Sequence, residues 1–217
     1  MHIRAILLGS AAALAAMSSA HAAQNGFYAG VEGGLSWVQG VHVFETRNAG
    51  VTTFQDHISF NTGWAVLATA GYEWDQWRLE AEGGYRQNDM DKISINTGLV
   101  STNVDNFSEF TLMANLIYDI PLNQRLSLSV GGGVGADRAS FDWPGFGANG
   151  LKDDQWRFAW QLIAGANYSL SSESELFVDY RFLGVNGPEY SQGNTRFDFD
   201  NLDKHLVTLG LRYHFGV

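Results

Sequence analysis

The chain has 217 residues, with 13 Lys and Arg against 23 Asp and Glu and a formal net charge of −10. Such acidity excludes a nucleic-acid binder, which needs a basic face for phosphate, and the absence of Cys excludes thiolate chemistry, disulfides and Cys-based zinc sites. With 25 Gly, 3 Pro, 13% aromatic and only 17% charged residues, the chain is too apolar for disorder and poorer in charge than soluble domains usually are.

Residues 1–22 read as an address. Met1-His2-Ile3-Arg4 is a short positive start, residues 5–16 form an apolar run of small side chains, and Ala20-His21-Ala22 fits the small-x-small cleavage rule. The run is too short to span a bilayer and lacks a basic stop. The expectation is a cleaved secretory signal over 1–22, followed by one domain over 23–217. That mature chain keeps 12 bases and all 23 acids, for a net charge of −11.

Beyond the signal no apolar run approaches about 18 residues, the length of a membrane-spanning helix. The recurring pattern has period two. From Trp156 to Tyr168 one parity (Trp156, Phe158, Trp160, Leu162, Ala164, Ala166, Tyr168) is wholly apolar or aromatic, and the other holds Arg157, Gln161 and Asn167. That is strand alternation, sustained for longer than a soluble strand of about five or six residues. In chain order the same pattern occupies 27–38, 64–72, 77–86, 110–120, 126–136, 156–168, 176–182 and 207–215. Eight strands are predicted.

Their connections alternate in length. Short turns fall at 73–76, 121–125 and 171–174, and long polar connections at 39–61, 87–108, 137–155 and 184–205. Tight turns on one side and long loops on the other describe a transmembrane β-barrel, in which a closed sheet pairs every backbone amide. Tyr72, Trp77, Tyr118, Tyr168, Tyr213 and Phe215 fall at the short-turn ends. Trp37, Trp64, Tyr85, Phe110 and Trp156 fall at the other ends. Two aromatic belts a strand apart would mark two lipid–water interfaces.

A soluble eight-stranded barrel of the lipocalin type is the competing fold. Charge separates the two. The charged parity mixes Glu32, Glu80, Glu82, Asp119, Asp137 and Asp179 with Arg78, Arg86, Arg157, Arg181 and Arg212. Six acids against five arginines suit an enclosed lumen, where buried charges must pair. The reading is therefore an all-β, eight-stranded, antiparallel up-and-down transmembrane barrel with a lumenal ion-pair network of those eleven residues.

The chain resembles the small outer-membrane β-barrel proteins of the OmpA-transmembrane and opacity/porin-like type. The resemblance rests on Gly26-Phe27-Tyr28-Ala29-Gly30-Val31-Glu32-Gly33-Gly34 and on Leu112-Met113-Ala114-Asn115-Leu116-Ile117-Tyr118-Asp119. Ser129-Val130-Gly131-Gly132-Gly133-Val134-Gly135-Ala136-Asp137 and Leu209-Gly210-Leu211-Arg212-Tyr213-His214-Phe215 complete it. It spans the mature chain. It implies residence in the bacterial outer membrane after passage through the periplasm, contact with lipid and lipopolysaccharide, and insertion by the barrel-assembly machinery. Members usually end on an aromatic residue read by that machinery, whereas Phe215 is followed here by Gly216 and Val217. A soluble peptidoglycan-binding domain is not expected.

Eight strands enclose an interior that side chains fill. Of the remaining charges, Glu45, Asp56, Asp89, Asp91, Asp105, Asp142, Asp153, Asp154, Glu189, Asp198, Asp200 and Asp203 are expected in the long connections, with half as many bases. Phe44, Phe54, Trp143, Phe146 and Tyr190 accompany them. That acidic, aromatic-studded face reads as a solvated anionic surface or as a contact surface for a host or cell-surface protein. The expected role is structural or surface-interactive, in envelope integrity or adhesion; the alternatives are a narrow porin-like pore for small solutes and a lipid A-modifying barrel enzyme. Enzymatic barrels need a His with a Ser or an acid, placed to meet an acyl chain from the lipid side. The tempting trio is His57, Ser59 and Glu73, but the first two share the lumenal parity of the second strand, so no enzyme is expected. His214 reads as a lumenal hydrogen-bonding residue. Gly131-Gly132-Gly133-Val134-Gly135 has no helix after it to cradle phosphate, and reads as glycines that let a barrel wall curve. Asp198, Asp200 and Asp203 lack the glycine and spaced Glu of an EF-hand. No cofactor and no metal are expected.

Overall fold

The computed structural model describes residues 25–216 apart from positions 40, 48–50, 61, 89, 96–97, 101–106, 144–150, 154–155, 187–188, 193–194 and 200. The expected signal segment and Phe146 lie outside the described residues. Eight long strands follow one another: β1 (Gly26–Val38), β2 (Gly63–Trp74), β3 (Trp77–Asn88) and β4 (Phe107–Pro121), then β5 (Leu126–Trp143), β6 (Trp156–Ser169), β7 (Ser174–Val185) and β8 (Leu202–Phe215). Each pairs antiparallel with its sequence neighbours, and β8 pairs with β1, which closes the sheet into an up-and-down barrel.

Following the register once around fixes the geometry. Val38 pairs with Lys204, then come Leu183, Gln161, Gly133, Asn115, Glu80 and Gly71, and the circuit returns to β1 at Tyr28. The stagger from position 38 to position 28 is ten residues. With strands about 4.8 Å apart and about 3.3 Å of rise per residue, it sets a strand tilt of about 40° and a backbone radius of roughly 8 Å. Side chains pointing inward from every strand fill such a cylinder.

The predicted alternation holds in phase on all eight strands. On β3, Trp77, Leu79, Ala81 and Tyr85 face outward while Arg78, Glu80, Glu82 and Arg86 are buried inside. The outer wall exposes Phe27, Val31, Leu35, Leu79, Leu162 and Leu209, each more than half open. A fold that turns its apolar parity outward and buries its charges is matched to hydrocarbon outside, not water.

The glycines have a second use besides curvature. A Cβ at Gly133 would lie 2.0 Å from Asn115 Oδ1, and one at Gly165 would lie 2.0 Å from Asp179 Oδ1. These inward glycines make the room in which large polar side chains from the neighbouring strand lie flat against the wall.

The long connections depart from expectation. The barrel strands run further than their apolar alternation does, so 107–109, 137–143, 183–185 and 202–206 are strand. Beyond them lies a second, six-stranded sheet, described by its backbone pairing. Its order is Glu189–Gln192, Thr195–Phe199, Val41–Arg47, Val51–Phe60, Met90–Ile95 and Gly98–Val100. The first, second and fourth connections thus share one sheet. Leu151–Asp153, in the third connection, adds to the far end of β5. This corrects the placement of His57 and Ser59, which lie in the strand paired to Val41–Arg47 and Met90–Ile95 and not on the second barrel strand. At the other end, the tight turn between β2 and β3 holds Asp75 at a φ of 53°, a left-handed conformation that Asp tolerates and a two-residue hairpin asks for.

Candidate functional site: the charged lumen

The inward side chains form three storeys along the barrel axis. In the lower storey, near the tight turns, Arg78 Nε donates to Asp119 Oδ2 at 2.5 Å, and Arg78 Nη2 donates to Asp119 Oδ1 and Ser129 Oγ, both at 3.1 Å. Asn167 donates to Ser129 Oγ at 2.6 Å and to Ser127 Oγ at 3.0 Å. Arg212 pairs with Glu175 and lies over the Phe177 ring, 4.5 Å from its centroid. His214 Nε2 meets Glu73 Oε2 at 3.0 Å.

The middle storey is centred on Arg181. Its Nη1 donates to Glu82 Oε2 at 2.5 Å, and its Nη2 donates to Glu32 Oε1 at 2.5 Å and Asp179 Oδ2 at 3.1 Å. Glu82 Oε2 also accepts from Asn115 Nδ2 at 2.8 Å and Gln161 Nε2 at 2.9 Å. Thr208 donates to Glu32. Glu80 is held by the Tyr28 hydroxyl at 3.0 Å and Asn115 Nδ2 at 3.1 Å, with the Arg78 and Arg181 charges nearby. A fork of guanidinium donors reaching three carboxylates is the geometry that arginine, and not lysine, provides.

In the upper storey Lys204, fully buried, donates to Glu109 and, at 3.2 Å, to Asp137 Oδ2. Arg86 is also fully buried; its charge acts on Glu82 and Glu109, and its three nitrogens find no hydrogen-bond partner among the described residues. Val38, Met113, Ala159, Leu183, Val185 and Leu202 form a buried apolar cluster, with Leu183 paired in register with Lys204 and Met113 with Glu82. Ser36 and Asn88 hydrogen-bond beside it, 3.3 Å from Oγ to Oδ1.

Of the eleven lumenal residues expected, Glu32, Arg78, Glu80, Glu82, Arg86, Asp137, Asp179, Arg181 and Arg212 are buried. Asp119 opens slightly at the lower mouth. Arg157 is only half-buried, opposite Asp137 in register. Sequence reasoning missed Lys204 and Glu109, because Lys204 fell in an expected connection and Glu109 between an expected connection and the strand after it. Their parity was the available signal: 204 shares it with Thr208 and Arg212, and 109 with Thr111 and Asn115. With Glu73 and Glu175 also facing inward, the expected near-balance is corrected. Among the described residues, nine acids (Glu32, Glu73, Glu80, Glu82, Glu109, Asp119, Asp137, Glu175, Asp179) meet six fixed cations (Arg78, Arg86, Arg157, Arg181, Lys204, Arg212).

The trio His57, Ser59 and Glu73 is not assembled. Glu73 sits at the tight-turn end of β2 beside His214, while residues 57 and 59 precede the opposite end of that strand. Of the acids expected in the connections, Asp203 belongs to β8 and the other eleven have side chains outside the described residues, as do Phe44, Phe54, Trp143 and Tyr190.

Outside, two rings of aromatic contacts girdle the wall. Phe27 meets Tyr72 at 5.0 Å between centroids and Trp77 meets Tyr118 at 4.8 Å at the tight-turn end. Trp64 meets Tyr85 at 5.6 Å and Phe110 meets Trp156 at 6.1 Å at the other. Amphipathic rings at two levels belong to the two interfaces of a bilayer. A closed antiparallel barrel with that wall and a charged lumen defines a membrane-spanning β-barrel of the bacterial outer membrane.

Comparison with known proteins agrees. Residues 6–215 match the outer membrane protein beta-barrel domain, and the chain belongs to that family. Curated relatives from Brucella abortus (strain 2308) and Brucella suis biovar 1 (strain 1330), each bearing only the description of an uncharacterized protein, are 33% identical over 135 residues, covering 50% of this chain and 48% of theirs. The chain thus spans about half the length of the curated relatives it matches. Among solved structures, it is similar to neisserial surface protein A (TM-score 0.54, 17% identity, 87% of this chain and 97% of that one). It is also similar to the outer membrane protein OprG from Pseudomonas aeruginosa (TM-score 0.57, 15% identity, 88% and 98%). Likeness at that identity speaks for the fold alone.

Proposed function

We propose that this protein is a non-enzymatic component of the outer membrane whose barrel is an anchor and whose working surface is the sheet beyond the barrel. One observation carries this reading. The lumen is bridged from wall to wall by buried ion pairs, while three of the four long connections converge on a single six-stranded sheet. A barrel serving only as a scaffold needs its charges paired and its lumen filled, and both conditions favour rigidity over catalysis. In barrels of this class the tight turns face the periplasm and the long connections face outward. The acid-rich connections therefore face the cell's surroundings, where they suit contact with a host or cell-surface protein that carries basic groups. The wall contacts lipid and lipopolysaccharide, and the barrel-assembly machinery inserts the chain.

The test replaces each long connection in turn with a short hairpin in the full chain. Folding is checked by heat-modifiable gel mobility, and the binding of whole cells to host-cell monolayers is scored. Loss of binding on shortening the first connection, which supplies the two central strands of the outer sheet, is the expected outcome. Adhesion and envelope integrity that are indifferent to all four replacements would overturn the reading.

A further inference from the structure

The outer wall is uneven at its tight-turn end. Between β1 and β8 lies an open groove of about 350 Å³, walled by Tyr213, Leu211 and Val31, floored by Ala29, and bounded by Ser174 where β7 begins. That volume is within the range of ligand clefts, which starts at about 300 Å³. These side chains share the outward parity: Ala29 pairs in register with Tyr213, Tyr213 with Ser174, and Val31 with Leu211. The groove is low because Ala29 is small. Its row continues through Ala70, Ala81 and Ala114, so only methyl groups rise along it over four neighbouring strands. An apolar trough that faces hydrocarbon suits a flexible acyl chain.

The polar end of the groove carries a charge. Glu173, exposed in the turn between β6 and β7, directly precedes Ser174. Its Oε2 accepts from the Tyr213 hydroxyl at 2.9 Å, and its backbone carbonyl accepts from the His214 amide at 2.8 Å. The ring that walls the groove therefore also holds a carboxylate at its mouth. The neighbouring acids have partners: Glu175 pairs with Arg212, and Glu73 with His214. Glu173 is paired with no cation among the described residues. A carboxylate fixed at the water line attracts an ammonium headgroup and repels an anionic one.

We propose that this groove is a binding site for one phospholipid with an ammonium headgroup, its acyl chain lying over Ala29 between Tyr213 and Val31 and its ammonium on Glu173. The site rests on the reading that the tight turns face the periplasm, which puts Glu173 among the headgroups of the phospholipid leaflet.

The experiment folds the full chain into vesicles of equal parts phosphatidylethanolamine and phosphatidylglycerol and checks insertion by heat-modifiable mobility. The barrel is then released in mild detergent, and retained lipid is read by native mass spectrometry. The wild type should keep one phosphatidylethanolamine, favoured over phosphatidylglycerol by about three- to fivefold, the scale of an exposed ion pair. Glu173→Gln should still keep a lipid but bring that ratio close to one. Ala29→Phe fills the floor with a ring and should abolish retention of either lipid; where it fails the mobility check, Ala29→Leu replaces it. Equal retention of the two lipids by the wild type, an unchanged ratio in Glu173→Gln, or undiminished retention in a folded Ala29 variant would overturn the site. Any of these in an inserted barrel leaves the membrane anchor standing, whereas a chain that inserts into no vesicle overturns both.

Discussion

On β3 the inner and outer faces are one residue apart and chemically opposite. Arg78, Glu80, Glu82 and Arg86 look into the lumen; Trp77, Leu79, Ala81 and Tyr85 look at lipid. Inside, stability rests on matched partners, because a charge taken out of water must meet its counterpart. Outside, nothing needs matching; the wall only has to be apolar at the right depth and amphipathic at its two rims. The same strand is therefore intolerant in different ways at successive positions. On the inner face the cost is set by who the partner is, and on the outer face by how deep the residue lies.

The contrast is broken most severely by removing one member of a full-width bridge. Lys204→Ala strands Glu109 and Asp137 in the upper storey and should cost about 3–5 kcal/mol, read as a lowered denaturant midpoint for the barrel in lipid vesicles. Replacing Lys204 by Met and Glu109 by Leu together should recover much of that loss. If the double variant is no more stable than the single one, pairing is not what the inner face requires. Next in size is a charge on the outer face. Leu79→Arg should cost about 2–4 kcal/mol in the same measurement, whereas Leu79→Val should be nearly silent. An outer face as indifferent to Arg as to Val would contradict its contact with hydrocarbon.

Glycine sharpens the comparison at finer scale. Gly133 faces inward and Gly83 outward. A Cβ at Gly133 would press on Asn115 Oδ1 at 2.0 Å, while one at Gly83 would meet nothing nearer than 3.9 Å. Gly133→Ala should cost about 1–3 kcal/mol by forcing Asn115 away from Glu80 and Glu82. Gly83→Ala should change the midpoint little.

How far the sequence could be read follows from the same contrast. Alternation is legible where the two faces meet different media, so the part of each strand inside the bilayer carries its phase openly: Trp77 against Arg78, Leu79 against Glu80. Above the wall both faces meet water or protein, the chemical difference fades, and 107–108 and 202–205 read as connection, with 109 and 206 left just outside the strands. Glu109 and Lys204 were hidden for that reason. The strands of the outer sheet, such as Val51–Phe60, were hidden more completely, because Asp56 interrupts the parity that Phe54, Ile58 and Phe60 share and breaks the alternation that marks a strand. Charge identity was legible but partnership was not. Arg181 and Glu32 are 149 positions apart, and only the ten-residue stagger brings them to one level.

The smallest predicted effect lies at the rims, where the two faces come closest to alike. Tyr118 packs against Trp77 at 4.8 Å and donates its hydroxyl to Gln76 in the tight turn, so it carries an apolar body and a wet tip. Tyr118→Leu keeps the apolar area but loses the ring pair and the hydrogen bond, and should cost about 0.5–1.5 kcal/mol. Tyr118→Phe keeps the ring pair and should recover most of that. The same pair of substitutions at Tyr28, a buried lumenal tyrosine whose hydroxyl donates to Glu80, should reverse the order of importance. There Phe leaves a buried carboxylate short of a donor, so the hydroxyl outweighs the ring. If Phe were equally mild at both positions, the tyrosines would not distinguish rim from lumen, and partner matching would not extend to the neutral groups of the interior.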